Sequence, residues 1–227
     1  MGRHYAGAFT EMIKAVLFDL DGLLLDSEIV AFKVYEEVGK LFNFEITLPD
    51  FMQNICGQPL RRNVAYVTER FQLPWSLEDA VEEVLCIEKR ILDEGVDVMP
   101  GARELLAFLK ANNYRTCVAS SSARERSMRL LEQHDLVKFF DDFVFGPEVE
   151  RGKPNPDIFL KAAEKLGVEP EKCLVLEDSQ AGIQAAYSAN MQVICIPDLK
   201  YPTEEYVQKA TAVKESLFDV IDYLEKR

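Results

Sequence analysis

Basic residues are scarce in this 227-residue sequence. Lysine and arginine together number 26, against 39 aspartate and glutamate residues, which gives a formal net charge of −13 at pH 7. Nucleic acids and anionic membrane surfaces are bound through basic faces, so this charge argues against both as partners. An anionic ligand would have to be bound locally, by a metal ion, a lysine and backbone N–H groups.

Cysteine pairs with metal-binding spacing are absent. The five cysteines are scattered, most of them inside apolar runs, at positions 56, 86, 117, 173 and 195. This distribution predicts small, reduced residues of the core rather than a disulfide framework. We therefore expect a cytoplasmic protein.

Long apolar stretches are also missing, and none approaches the length of a membrane span. Residues 1–11 lack the apolar central region of a signal peptide. We expect Met12 to be the natural start and residues 1–11 to be an extension, non-native or disordered, outside the fold. Histidine is rare as well, and neither His4 nor His134 is expected to act in catalysis.

Alternating strand and helix patterns make up most of the chain. Short apolar runs typical of buried strands occur at residues 13–18, 115–119, 143–145, 173–176 and 192–196, with amphipathic helical patterns between the later ones. Such alternation predicts an α/β fold in which a doubly wound parallel sheet carries helices on both faces.

The segment 27–96 interrupts this alternation directly after the first strand. Its apolar residues recur at helical spacing, and Pro49, Pro59 and Pro74 separate the helical pieces. The pattern predicts an inserted all-helical cap of about four helices. The remaining parts, residues 12–26 and 97–227, would form the α/β core.

Polar side chains follow three of the predicted strands at the point where each strand ends. Asp19 and Asp21 follow the first, Ser120 the second, and Glu177 with Asp178 a later one. The carboxyl ends of parallel strands meet at one edge of a sheet, so these residues should converge there. Several carboxylates at one place favour a Mg²⁺ site, since Mg²⁺ prefers hard oxygen ligands.

Two further features would suit a phosphate group at the same edge. Ser120 to Ser122 lead into a helix, whose N-terminal N–H groups can bind an anion. Lys153, in the loop that follows Gly152, would add a positive charge where phosphate charge accumulates. Metal, lysine and N–H donors around a carboxylate are typical of phosphoryl transfer.

Four motifs stand together in this sequence. They are Asp19-Leu20-Asp21-Gly22, then Ser120 after Cys117-Val118-Ala119, then residues 152–159 beginning Gly152-Lys153-Pro154, and residues 176–182 beginning Leu176-Glu177-Asp178. In these motifs and their order the chain resembles the haloacid dehalogenase-like hydrolase superfamily, from about Met12 to its C-terminus. The subgroup it most resembles contains β-phosphoglucomutase and phosphatases of small sugar phosphates, with a helical cap.

The resemblance implies a role for each motif residue. Asp19 would be the nucleophile that forms an aspartyl-phosphate. Asp21 would protonate the leaving oxygen and then activate water. Ser120, Ser121 and nearby N–H groups would hold the phosphoryl oxygens, and Lys153 would neutralise charge between the nucleophile and the phosphate.

The same resemblance implies Mg²⁺ as the cofactor. Its ligands would be Asp19, Asp178, the backbone carbonyl of Asp21 and Glu177, the last directly or through water. The cap would act as a lid that opens for substrate and excludes water when closed.

A mutase and a phosphatase of this subgroup are harder to separate. A mutase would be expected to carry a histidine early in the first cap helix, and residues 28–32 have none. It would also be expected to carry an arginine close after the cap glycine; here Arg61 and Arg62 follow Gly57, displaced by about one residue. Both arginines are candidate substrate contacts, and both departures weaken the mutase reading without excluding it.

The sequence therefore favours a Mg²⁺-dependent phosphatase acting on a small phosphorylated metabolite, with a sugar phosphate expected. The alternatives are a β-phosphoglucomutase-like isomerase and a non-catalytic metabolite-binding protein on the same fold. We expect a monomer.

Overall fold

The computed structural model of the protein describes residues 12–226. The predicted extension, residues 1–11, lies outside the described residues. The chain divides into two compact units: Leu25–Val98 together with Asp198–Tyr201 form one, and the rest of the described chain forms the other. Whether residues 27–96 act as a separate domain stays a prediction.

The larger unit is built on a six-stranded parallel sheet. Its strands are β1 (Ala15–Phe18), β2 (Arg115–Ser120), β3 (Asp142–Phe145), β4 (Cys173–Glu177), β5 (Gln192–Cys195) and β6 (Ala212–Val213). The spatial order is β3-β2-β1-β4-β5-β6, and all neighbours run parallel. This confirms the predicted α/β fold with a doubly wound sheet.

Helices account for most of the remaining chain. They are α1 (Ser27–Phe42), α2 (Leu48–Asn54), α3 (Leu60–Arg70), α4 (Leu77–Glu94), α5 (Ala102–Ala111), α6 (Arg124–Gln133), α7 (Asp157–Leu166), α8 (Gln180–Ser188), α9 (Glu204–Val207) and α10 (Phe218–Glu225). No helix among these residues is long and apolar enough to cross a membrane.

Strand β1 lies at the centre of the sheet and fixes the position of the residues that follow it. All four of its residues are fully buried, as expected of a strand covered on both faces. Phe18 pairs with Val118 of β2 and with Leu176 of β4. Asp19, one residue later, therefore lies level with the ends of both neighbouring strands.

The smaller unit contains α1 to α4, as predicted for a helical cap, together with an isolated antiparallel bridge between Leu25 and Val98. Thr47 and Ser76 begin α2 and α4 by accepting hydrogen bonds from Asp50 N and Asp79 N, at 3.3 and 3.2 Å. Phe51 of α2 is 1% exposed and packs edge-on to Phe32 of α1. The amphipathic spacing thus buries one face of each helix inside this unit.

Candidate active site

Asp19 begins the site at the carboxyl end of β1. Its backbone N–H donates to Leu176 O at 3.1 Å, which continues the sheet pairing one residue past the strand. The residue is only 7% exposed. A carboxylate so far removed from water needs cationic or hydrogen-bonding partners.

Lys153 supplies the first of these partners. Its Nζ contacts Asp19 Oδ1 and lies 2.6 Å from Glu177 Oε1, and its side chain is 5% exposed. The ammonium also lies 4.9 Å from the centre of the Phe159 ring on α7. The loop before α7 and the end of β4 thus bring one buried cation between two buried carboxylates.

Glu177 is fully buried and held by three donors. Besides Lys153, the backbone N–H and the hydroxyl of Ser179 each donate to Oε2 at 2.9 Å. A Cβ atom at Gly182, in the first turn of α8, would lie 1.8 Å from the carboxylate carbon of Glu177. Because residue 182 is glycine, there is room for this carboxylate.

The electrostatics of the cluster follow from its burial. Burial raises the pKa of Asp19 to about 7; the attraction of Lys153 opposes this rise, and the charges of Glu177 and Asp21 add to it. For Lys153, burial lowers the pKa, but the two carboxylates outweigh it and the net shift is upward. Burial therefore opposes ionisation of Asp19, whereas the two neighbouring carboxylates favour the charged form of Lys153.

Asp21 faces a different pair of donors. Arg126 Nη1 donates to its Oδ1 at 2.8 Å and Ser122 Oγ to its Oδ2 at 2.7 Å. Sequence reasoning missed Arg126, which lies in the first turn of α6. The available signal was the spacing of Ser122 and Arg126, four residues apart and hence on one face where the segment becomes helical.

The consecutive serines after β2 differ in exposure and in their contacts. Ser120 is 1% exposed, and its hydroxyl accepts a hydrogen bond from Ser122 N at 3.1 Å. Ser121 has an exposed side chain. A Cβ atom at Gly146 would lie 2.2 Å from the carbonyl oxygen of Ser121, so the loop after β3 packs directly against this turn. The predicted phosphate contacts of Ser120 and Ser121 stay predictions.

Asp178 follows Glu177 at the end of β4 and is half-buried. Across residues 12–226, the histidine, cysteine, aspartate and glutamate side chains form no group of three or more that could hold a metal ion by themselves. The implied ligand set, in which Asp19, Asp178 and Glu177 contribute carboxylates and Asp21 its backbone carbonyl, stays a prediction.

The donor chemistry of this strand edge fits a divalent cation. The carboxylates of Asp19, Asp21, Glu177 and Asp178 lie at this edge, with Lys153 and Arg126 among their basic partners. Hard carboxylate oxygens suit Mg²⁺. The prediction that Glu177 is a ligand stays a prediction, while its observed contacts connect it to Lys153.

The two cap arginines make contacts inside the smaller unit. Arg61 pairs with Glu78 at 2.8 Å on the exposed surface. Arg62 donates to Asn54 O and, at 3.2 Å, to Asn63 Oδ1, and its guanidinium lies 5.5 Å from the centre of the Tyr66 ring. Their predicted contact with substrate stays a prediction.

Known proteins are similar to this chain in sequence and in fold. The model of one protein family, described as haloacid dehalogenase-like hydrolase, matches residues 16–196. A phosphorylated carbohydrates phosphatase from Thermotoga maritima is 37% identical over 182 residues, covering 80% of this chain and 84% of that protein. Hexitol phosphatase B from Escherichia coli K12 is 31% identical over 188 residues, covering 82% and 84%. A solved structure of a HAD family hydrolase from Deinococcus radiodurans R1, with bound phosphate and sodium, has a TM-score of 0.81 and 26% identity, over 94% of this chain and 96% of that one.

Proposed function

Because the chain belongs to the haloacid dehalogenase-like hydrolase family, we propose that it is a Mg²⁺-dependent phosphatase of a small phosphorylated metabolite, with Asp19 as its nucleophile. The observation that carries the proposal is the buried cluster at the end of β1, where Asp19 contacts Lys153 and Lys153 contacts Glu177. A buried carboxylate paired with a fixed cation is arranged to attack an electrophile that brings its own negative charge.

The proposed reaction has two steps, and each assigns a task to Asp19. An oxygen of Asp19 first attacks phosphorus while the bond to the leaving oxygen breaks, and Asp21 gives that oxygen a proton. Water then attacks the aspartyl-phosphate, Asp21 takes a proton from it, and Asp19 is released with inorganic phosphate. Lys153 stays charged throughout and offsets the negative charge of the phosphoryl group beside Asp19.

Glu177 acts in this proposal through Lys153. Its two oxygens accept from Lys153 and from Ser179, so the ammonium is held in place before any substrate binds. Mg²⁺, held by Asp19, Asp178 and the carbonyl of Asp21, would supply the remaining positive charge for the phosphate oxygens and for an ionised Asp19. Ser120, Ser121 and the N–H groups at the start of α6 would hold the other phosphoryl oxygens.

We propose a sugar phosphate or sugar-alcohol phosphate as the substrate class. The relatives named as a phosphorylated carbohydrates phosphatase and as hexitol phosphatase B support it. The lack of a histidine in residues 28–32 and the displaced Arg61 and Arg62 favour hydrolysis over phosphate migration. We further propose that the protein works in the cytoplasm as a monomer, with the helical cap and its two arginines contacting the organic part of the substrate.

A phosphatase screen with Mg²⁺ tests the proposal. Phenyl phosphate and a panel of sugar phosphates, sugar-alcohol phosphates and nucleotides are offered to the wild-type chain and to Asp19→Asn. We expect phosphate release by the wild type and loss of turnover in the variant, with Asp222→Asn on the exposed side of α10 as a matched control. Turnover retained by Asp19→Asn would refute the mechanism. Conversion of β-glucose 1-phosphate to glucose 6-phosphate, with a bisphosphate activator, would instead favour the mutase.

A further inference from the structure

We propose that Arg126 is a positioning residue of the reaction, which together with Ser122 holds the carboxylate of Asp21 in the orientation that proton transfer requires. The inference rests on the proposed function, because Asp21 has this task only in such a phosphatase. Arg126 lies outside the four motifs to which the sequence points.

The geometry is a closed triangle of polar contacts. Arg126 Nη1 and Ser122 Oγ bind the two oxygens of Asp21 at 2.8 and 2.7 Å, and they lie 3.4 Å from each other. The Arg126 and Asp21 side chains are 20% and 25% exposed. An ion pair shielded to this degree is stronger than one on an open surface.

The three residues of the triangle follow two neighbouring strands of the sheet. Asp21 follows β1, whereas Ser122 lies between β2 and α6 and Arg126 lies in the first turn of α6. With both oxygens engaged, the carboxylate has little freedom to turn about its terminal bond. The sheet therefore fixes where this carboxylate stands, and the triangle fixes how it points.

Orientation matters because Asp21 moves a proton twice. It gives one to the leaving oxygen as the phosphorus–oxygen bond breaks, and it takes one from water as the aspartyl-phosphate is hydrolysed. In each step one carboxylate oxygen must lie within hydrogen-bond distance of the moving proton. Arg126 touches neither phosphorus nor the leaving group in this account and acts through Asp21.

A neighbouring arginine provides a matched control. Arg124 lies in the same turn of α6, and its side chain is 59% exposed. It pairs with Glu148 at 3.5 Å and lies 5.3 Å from the centre of the Phe145 ring. Arg124→Ala therefore makes the same change of charge in the same helix while leaving the triangle intact.

The experiment compares two aryl phosphates in the presence of Mg²⁺. Phenol is a weak acid and leaves phosphorus readily only when it is protonated, whereas 2,4-dinitrophenol leaves as the anion. We expect Arg126→Ala to lower kcat/KM for phenyl phosphate by about 10- to 100-fold and for 2,4-dinitrophenyl phosphate by less than about 3-fold. Arg126→Lys should recover part of the loss, and Arg124→Ala should leave both values within about 2-fold of wild type.

The possible outcomes separate the inference from the proposed function. Equal losses with both esters, or no loss with phenyl phosphate, would overturn the role of Arg126 while the wild type stays active. A wild type that releases phosphate from neither ester would overturn the proposed function itself. Should Arg126→Ala fail to give a cooperative thermal transition, Arg126→Gln and Arg126→Lys carry the same comparison.

A double-mutant cycle tests whether Arg126 acts through Asp21. Once Asp21→Asn has removed the proton carrier, the further change Arg126→Ala should lower the residual kcat/KM by less than about 2-fold, since coupled residues are not additive. If the two losses multiply as independent effects, Arg126 has another role and the inference is wrong.

Discussion

Replacing Gly182 with alanine should lower turnover strongly, although Gly182 itself has no contact with substrate in the proposed mechanism. The new Cβ atom would lie 1.8 Å from Cδ and Oε1 of Glu177, whereas real Cβ contacts essentially never fall below 3.0 Å. The carboxylate would have to retreat by about 1.2 Å, and Lys153 would lose its alignment. A displacement of about 1 Å near reacting groups costs about 100-fold in turnover.

The effect on stability is a balance of two terms. Alanine in place of glycine inside a helix stabilises by about 1 kcal/mol. The buried Glu177 carboxylate loses or weakens hydrogen bonds from Lys153 and Ser179, at about 1.5–3 kcal/mol for each bond to a charged group. If one of these bonds is lost, we expect a net loss of about 0.5–2 kcal/mol, which for a chain of this size lowers Tm by about 1 to 8 °C.

Phosphate release and thermal melting, measured on the same preparations, check this prediction. Ser188→Ala, at the exposed C-terminal end of the same helix, gains helix propensity without approaching Glu177 and should keep wild-type activity. If Gly182→Ala has wild-type kcat and Tm, the contact of Glu177 with Lys153 is not what aligns the site.

Three other substitutions probe the buried charge, a titrating carboxyl and the cap. Lys153→Met leaves two buried carboxylates without their cation, so the free energy of unfolding should fall by about 3–5 kcal/mol. Mg²⁺ should reverse part of the accompanying decrease in Tm, as measured by scanning fluorimetry. An unchanged Tm would contradict the ion-pair account. Burial, and then the charge of Asp26, raise the pKa of Asp198 to about 6, and its buried Oδ2 has no hydrogen-bond partner among residues 12–226. Because this folded pKa exceeds the unfolded value of about 4, ionisation of Asp198 destabilises the folded state as pH rises from about 4 to above 6. Asp198→Asn should therefore raise Tm at pH 7.5 and leave it unchanged at pH 4. An equal shift of Tm at both pH values would contradict the titration. Asn63→Ala removes hydrogen bonds to two cap carbonyl groups, at 3.0 Å each. The free energy of unfolding of the cap, measured by Trp75 fluorescence in urea, should fall by about 1–3 kcal/mol and the urea midpoint should fall with it. An unchanged midpoint would count against this prediction.

The sheet could be predicted because burial dictates its sequence. A strand covered on both faces must be apolar throughout, so β1, β4 and β5 stand out in the sequence. The four-residue helix α9 was missed, because it is too short to show a helical period.

The strand-end residues could be predicted because parallel strands place their ends together. This argument puts Asp19, Ser120 and Glu177 at one edge of the sheet, and the structure has them there. It does not say how a side chain points. Glu177 turns toward Lys153 because Gly182 leaves space for it, and Arg126 reaches Asp21 because β2 lies beside β1. Both facts depend on packing that spacing along the chain does not show.

The five cysteines allow local unfolding within each of the two units to be followed by thiol labelling. Cys86 is exposed, whereas Cys56 in the cap and Cys117, Cys173 and Cys195 in three strands of the sheet are buried. Burial raises the pKa of Cys173 and Cys195 to about 12, which keeps thiolate concentration low in the folded state. A thiol reagent should therefore label one site at once, and each later label would time the local opening of the strand or cap segment that carries it.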